Sequence, residues 1–290
     1  MSMVHSITPP VNPTAAKGLA VSNIAWPAGD EARDEAIRIL LDGGATGVEV
    51  APSLLFADPA TASTQEIHAA RASFQAAGLP VVAMQALLFN RPQLKLFGSP
   101  AQRESLLQHL HTMAQLAAGL GATVLVFGSP KNRLKDTLTQ QQAAQIAIPF
   151  FQELGNRAHK LGVVFGIEAN PTDYGCDWLT TLDDAAQFVT QVASPAIALH
   201  GDAGGMIRTN QAPPQSLHML AHHHASEPNL DPLTTRPEHN AIAHWLAQSG
   251  HKGWISIEMR RPENNWQMAL KQALAAALAV YAPALGHPTT

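Results

Sequence analysis

One closed (β/α)8 barrel is the fold class this sequence predicts, and three observations predict it. Short β-rich runs alternate with longer helical stretches eight times, in units of roughly 30–40 residues. No composition break divides the 290 residues, a length that suits one large α/β domain. Four polar side chains, Glu168, Asp202, His224 and Glu258, close the last four hydrophobic runs, one each. In a barrel of parallel strands such ends converge on the C-terminal face, where barrels place their chemistry.

The elements follow in order. The first strand is 19–22, and a helix over 30–42 stops at Gly43-Gly44. Strand 47–50 precedes a helix over 61–77 that stops at Gly78, and strand 81–85 opens a long loop over 87–99. A helix over 100–120 leads to strand 123–127, and a helix over 139–161 to strand 163–168. Thr180-Thr181 offer caps for a helix over 182–192, which leads to strand 196–202. A proline-rich loop and a short helix near 215–219 lead to strand 220–224. A helix over 237–248, strand 254–258 and a last helix over 263–281, ending before Pro283, complete eight units. No Gly-x-Gly-x-x-Gly turn follows the first strand, which disfavours a doubly wound open sheet. Residues 1–17 read as a flexible arm, 18–285 as the barrel and 286–290 as a tail.

Composition narrows the function classes. Hydrophobic residues make up 46% and charged ones 14%, so a sizeable core is available. A net charge of −4 argues against nucleic acid as a partner. The lone Cys176 excludes an internal disulfide and fits a reducing compartment. The N-terminus lacks an apolar signal-peptide core, and the most apolar stretch, 273–285, is shorter than the ~20 residues of a membrane span. A soluble cytoplasmic protein with no membrane partner is expected.

The four strand ends lie 34, 22 and 34 residues apart, each gap fitting one helix and its loops. Three carboxylates and an imidazole form a hard, oxygen-rich donor set suited to Mn, Mg or a similar divalent ion. Structural salt bridges at the barrel rim are the competing reading.

Four stretches carry a resemblance: Gly166-Ile167-Glu168-Ala169-Asn170-Pro171, Leu199-His200-Gly201-Asp202-Ala203-Gly204, His224-Ala225-Ser226-Glu227-Pro228-Asn229 and Ile255-Ser256-Ile257-Glu258-Met259. At these residues the chain resembles the xylose isomerase-like TIM barrel family, in its sugar phosphate isomerase/epimerase branch, over about 18–280. The resemblance implies one divalent cation, with Mn, Mg or Co favoured and Zn a further candidate. It implies that Glu168, Asp202, His224 and Glu258 hold the cation and that Glu168 and Glu258 are catalytic, moving protons. Ketose epimerases of the family carry a His where this chain has Gly205 and an Arg where it has Leu230, both touching substrate. The three-zinc endonuclease branch needs further His ligands, and Gly205 and Asp231-Pro232-Leu233 lack them.

The chemistry expected is isomerisation or epimerisation of a small keto-sugar or related polyol ketone through an enediolate. A dehydratase of the inosose type would share the first proton abstraction and then expel a β-hydroxyl. A non-catalytic barrel subunit of a larger complex is the alternative from another class, and four converging ligands argue against it. No Gly-rich loop with Lys-Ser/Thr opens a helix, which favours an unphosphorylated carbohydrate. A homo-oligomer is compatible with the sequence.

Several other residues are candidates for substrate contact. Glu227 follows the metal His in a strand–helix loop, and Arg260 lies two beyond Glu258; each competes with a rim salt bridge. Lys131, in Gly128-Ser129-Pro130-Lys131-Asn132, competes with a solvated charge. His200 shares the face of Asp202 and competes with a buried polar role, while Trp26 offers an aromatic wall or packing. His222 reads as support for a ligand or as a hydrogen-bonded core histidine. Glu49 and Gln85 end the second and third strands as weaker candidates, and Phe89 and Phe97 as a lid or interface.

Overall fold

The structure, a computed structural model, describes residues 18–213 and 219–286. The arm expected at 1–17, all but Met219 of the short helix expected near 215–219, and the tail beyond Gly286 lie outside the described residues. Eight parallel strands close into one barrel in chain order, and the last pairs with the first. They are β1 (Leu19–Ser22), β2 (Gly47–Val50), β3 (Val81–Met84), β4 (Val124–Phe127), β5 (Val164–Glu168), β6 (Ile197–Asp202), β7 (Leu220–Ser226) and β8 (Trp254–Glu258). The helices are α1 (Asp30–Asp42), α2 (Thr64–Ala76), α3 (Pro100–Leu120), α4 (Gln140–Lys160), α5 (Leu182–Val192), α6 (Ala203–Arg208), α7 (Pro237–Gln248) and α8 (Trp266–Leu285).

Local chemistry sets the helix starts. Ser63, Ser99, Thr139 and Thr181 each accept from the N3 amide, and each N3 side chain bonds back to the cap amide. The box at Ser63 and Glu66 is why α2 starts at Thr64 and not at residue 61. At the other end of the chain, α8 runs through Pro283, where the sequence reading stopped it. Pro283 falls in the last turn, and Gly286 closes it in a left-handed conformation at φ 82°. By length and composition α8 reaches the size of a membrane span. One face of it, with Leu270, Ala273, Leu274 and Ala277, is buried where α8 packs with α1, α7 and β8.

Period-two alternation along the strands separates two apolar clusters. Leu19, Val21, Val48, Phe165, Ile167, Leu199, Ile255 and Ile257 join the main core that the helices cover. Ala20, Val82, Ala83, Val124 and Trp254 form a second cluster around the start of the barrel. The Trp254 ring occupies the space that a Cβ at Gly18 or Gly47 would need, so both glycines make room for it.

Above that plug the inner face turns polar. Glu49, His200, His222, His224 and Ser256 are all essentially inaccessible to solvent. Strand pairing brings their neighbours into line: His200 faces His222, Asp202 faces His224, and Ser226 faces Glu258. β7 extends two residues beyond His224, where the sequence reading ended it, because Ser226 is used at the rim. The loop over 87–99 is ordered and tied to the turn after β4. Asn132 donates from Nδ2 to the carbonyls of Arg91 (2.9 Å) and Leu94 (2.7 Å). Phe97 packs edge-on against Trp178 with centroids 5.0 Å apart, whereas Phe89 is exposed.

If Trp254 closes the lower end of the barrel, Trp254→Ala should cost about 3–5 kcal/mol, the usual penalty for emptying a buried aromatic site. Urea denaturation measures it; a loss below about 1 kcal/mol would show that the ring is not needed there.

Candidate metal centre

Glu168, Asp202, His224 and Glu258 come together at the C-terminal end of the barrel. Asp202, His224 and Glu258 can each point a ligand atom to one place, those atoms lying within 4.8 Å of one another. Glu168, His200 and His224 form a second such group, which shares His224. His224 Nδ1 lies 3.1 Å from Glu258 Oε2. It has no hydrogen-bond partner of proper geometry. The opposite nitrogen, Nε2, lies 3.0 Å from each oxygen of Glu49.

Each carboxylate is held by its own local structure. Glu168 ends β5, and its carbonyl oxygen accepts from Arg133 Nη2 at 2.7 Å. The same nitrogen donates to Asn170 Oδ1 at 3.0 Å, and the guanidinium, wholly buried, lies over Trp178. Gly128 gives the Glu168 carboxylate its space, since a Cβ there would overlap Oε2. Asp202 ends β6 and caps α6, accepting from the Gly205 amide at 2.8 Å. Its other oxygen accepts a short hydrogen bond from Ser226 Oγ, which itself accepts from the Gly204 amide at 2.8 Å. Helix α6 begins directly after β6 and was not expected from the sequence.

The electrostatics follow from crowding. Burial pushes the Glu168 carboxyl up to about 8, and the neighbouring carboxylates of Asp202 and Glu258 add to the shift. Asp202 is raised for the same reasons, burial first and Glu258 second. Burial alone would lower His224, but the carboxylates of Glu49 and Glu258 outweigh it and hold the imidazole well above its ordinary range. Burial alone would raise Glu49, but His224 and His222 outweigh it and hold that carboxyl well below the usual range. The donor set fits one divalent cation. Three carboxylates crowd one mouth, and His224 turns Nδ1 toward them, 3.1 Å from Glu258 Oε2.

The remaining candidates from the sequence fall in different places. His200 sits against His224 with ring centroids 4.2 Å apart, and neither of its nitrogens has a hydrogen-bond partner among the described residues. Glu227 is buried, and its carboxylate is already engaged by Thr234 (3.1 Å to the amide), Arg236 (3.1 Å) and His239 (3.3 Å). Arg260 is exposed, with its amide donating to the Leu230 carbonyl at 2.7 Å. Lys131 is exposed, and its carbonyl accepts from Lys95 Nζ at 2.8 Å. Trp26 is buried and lines a cavity of about 250 Å³ with Leu54, Leu55 and Phe74, which none of the four converging residues borders. Gln85 donates to Ser22 Oγ at 2.7 Å.

Sequence reasoning did not single out Arg133, Ser226 or Tyr174. Arg133 directly follows Lys131 and Asn132, and it is the one whose side chain reaches Glu168. Tyr174 follows β5 on a 3-10 turn, its hydroxyl accepting from the Asn229 amide at 3.2 Å. Burial raises its phenol, and the charges of Asp202 and Glu168 contribute.

Comparison with known proteins agrees with this architecture. The chain belongs to the xylose isomerase-like TIM barrel family, whose model matches residues 37–279. It is similar in fold to D-psicose 3-epimerase from Clostridium cellulolyticum H10, solved with D-tagatose. That match has 16% identity, covers 91% of this chain and 99% of that one, and reaches a TM-score of 0.72. The IolI protein, solved with a zinc atom, matches at 15% identity over 91% and 98% of the two chains, with a TM-score of 0.69. The 3-keto-D-glucoside 4-epimerase YcjR from E. coli matches at 16% identity over 89% and 98%, with a TM-score of 0.67. No curated protein sequence matches significantly.

Two outcomes follow from this geometry. At pH 7 the metal-free folded protein still holds protons on Glu168, pushed up to about 8, and on His224, which is held high, and Glu168 releases its proton as pH rises through about 8. The unfolded chain has largely lost both protons by about pH 7. The folded state then binds more protons, so stability should fall as pH rises through this window. Thermal melts in chelator at pH 7, 8 and 9 check the sign, and a melting temperature that rises would contradict it. Separately, Gly128→Ala should leave the fold intact but push the Glu168 carboxylate aside. Metal affinity, read by chelator competition, should drop about 10–100-fold, the scale for disturbed support of a ligand.

Proposed function

We propose that the protein is a divalent-metal-dependent isomerase or epimerase of a small keto-sugar or related polyol ketone. The observation that carries this reading is the convergence of Glu168 and Glu258 with Asp202 and His224 at the C-terminal end of the barrel. Two carboxylates flanking a bound ketone can take a proton from one face and return one to the other. Family membership and the epimerases among the similar folds support the same class.

Glu168, Asp202, His224 and Glu258 would hold the cation. When bound, the cation would polarise the carbonyl of a ketone substrate and so acidify the adjacent carbon. One glutamate then takes a proton from that carbon, leaving an enediolate, and the other returns a proton from the opposite face. Asp202 keeps its place through Ser226 and Gly205, and Arg133 anchors the end of β5 that carries Glu168. The zinc atom of the IolI protein supports keeping Zn beside Mn, Mg and Co among the metals to be tried.

On the substrate side, Gly205 and Leu230 offer no polar side chain, so simple ketohexoses should be poor substrates. Sites that read hydroxyls depend on such pairing. Incubating the metal-loaded protein with a panel of keto-sugars and inososes in deuterated water tests the reading. Metal-dependent entry of deuterium at carbon, without loss of water, supports an isomerase or epimerase. Loss of water would favour a dehydratase, and no exchange with any substrate would count against enzymatic function of this kind.

Glu168→Gln and Glu258→Gln preserve volume and should each lower turnover by about 10²–10⁴-fold with the fold retained. Steady-state kinetics of the metal-loaded variants, beside circular dichroism, measure both. Retention of more than roughly a tenth of the rate by either variant would refute the two-carboxylate mechanism.

A further inference from the structure

We infer that Glu49 is the positioning residue for His224: it takes the Nε2–H of that imidazole and so presents Nδ1 to the metal centre. The inference rests on the metal reading above. A neutral imidazole carries one N–H and one lone pair, and whichever nitrogen is tied up as a donor leaves the other as the ligand. Both Glu49 oxygens lie 3.0 Å from His224 Nε2. Nδ1, the other ring nitrogen, lies 3.1 Å from Glu258 Oε2 without proper hydrogen-bond geometry and belongs to the group formed with Asp202 and Glu258.

Glu49, His222 and His224 also bring ligand atoms within 4.8 Å of one another. All three are buried, whereas the Asp202, His224 and Glu258 group is partly open, so Glu49 stands behind the imidazole. Its carboxylate is wholly buried, and its second contact is His222 Nε2 at 3.4 Å. Both histidines lie on β7 two residues apart, so they share the inner face. Glu49 comes from β2, three strands around the ring from β7, and reaches them across the barrel interior. His200 packs edge-on against His224, with ring planes at 75°, and braces the imidazole from β6. Without Glu49, Nε2 would keep no acceptor among the described residues, and the ring could turn over to face the carboxylates with the wrong atom or with a proton.

The test uses Co²⁺ on metal-stripped full-length protein, with affinity read by chelator competition and geometry read from the visible absorption of bound Co²⁺. Glu49→Leu should weaken Co²⁺ binding about 10–100-fold and change its spectrum, as loss of a carboxylate behind a ligating histidine does. Glu49→Gln keeps an oxygen that can accept from Nε2–H. It should keep the wild-type spectrum and lose less affinity, a rescue that a purely structural role would not show. Melting of the metal-free variants reports their folding, and if Glu49→Leu does not fold, Glu49→Gln and Glu49→Asp decide. Asp is too short to reach Nε2 from the same backbone and should behave like Leu. Affinity and spectrum unchanged from wild type in the folded variants, even with a lower melting temperature, would overturn the inference. Failure of the wild-type protein to bind Co²⁺ would overturn the metal reading and this inference with it, an outcome distinct from the first.

Discussion

Three carboxylates facing one another in the mouth of an apolar barrel are a standing electrostatic cost, and much of the surrounding structure answers it. An ionised carboxylate removed from water is costly unless it is paired and hydrogen-bonded. Asp202 meets this with the Ser226 hydroxyl and the Gly205 amide. His224 is clamped between Glu49 and Glu258. Glu168 is the least relieved of the set, since Arg133 reaches its backbone carbonyl, and its carboxyl is pushed up to about 8. The same crowding that destabilises a metal-free mouth would be relieved by a divalent cation.

The barrel keeps this cost at one end. Its lower interior is closed by Trp254 with small and aliphatic neighbours, while its upper interior carries histidines and glutamates. Chemistry and stability are thereby assigned to opposite ends, the division expected of such barrels. The loops that frame the upper end are pinned to one another. Asn132 holds the loop after β3, and Asp177 accepts from the amides of Lys135 and Asp136 at 2.7 and 2.9 Å. Arg133 lies between these two ties, so its guanidinium arrives beneath Glu168 from a fixed backbone. Loops tied in this way hold the strand ends in place.

Much of the fold was legible locally. β1, β2, β8, α1, α3, α5 and α7 coincide with the readings from apolar runs, caps and glycine stops, because each signal acts within a few residues. The misreadings were local signals outweighed by context. Pro283 can be accommodated in a final turn, Ser226 extends β7 because it bridges to Asp202 and Gly204, and α6 follows from Asp202 serving as its cap.

For the site, the sequence by itself determined which side chains stand at the strand ends, and hence that Glu168, Asp202, His224 and Glu258 could meet once parallel strands closed into a ring. Their polarity against apolar runs is a one-dimensional signal, and period two sends each to the inner face. Only the tertiary structure decided how those side chains are held. The contact between Glu49 and His224 spans 175 residues and requires the ring to close. The choice of Arg133 over Lys131 depends on a pinned turn, and the engagement of Glu227 by Thr234, Arg236 and His239 depends on how the loop after β7 meets α7. Strand-end chemistry can be read along the chain because it repeats with the backbone. Hydrogen bonds between distant side chains cannot, because their partners are set by packing alone.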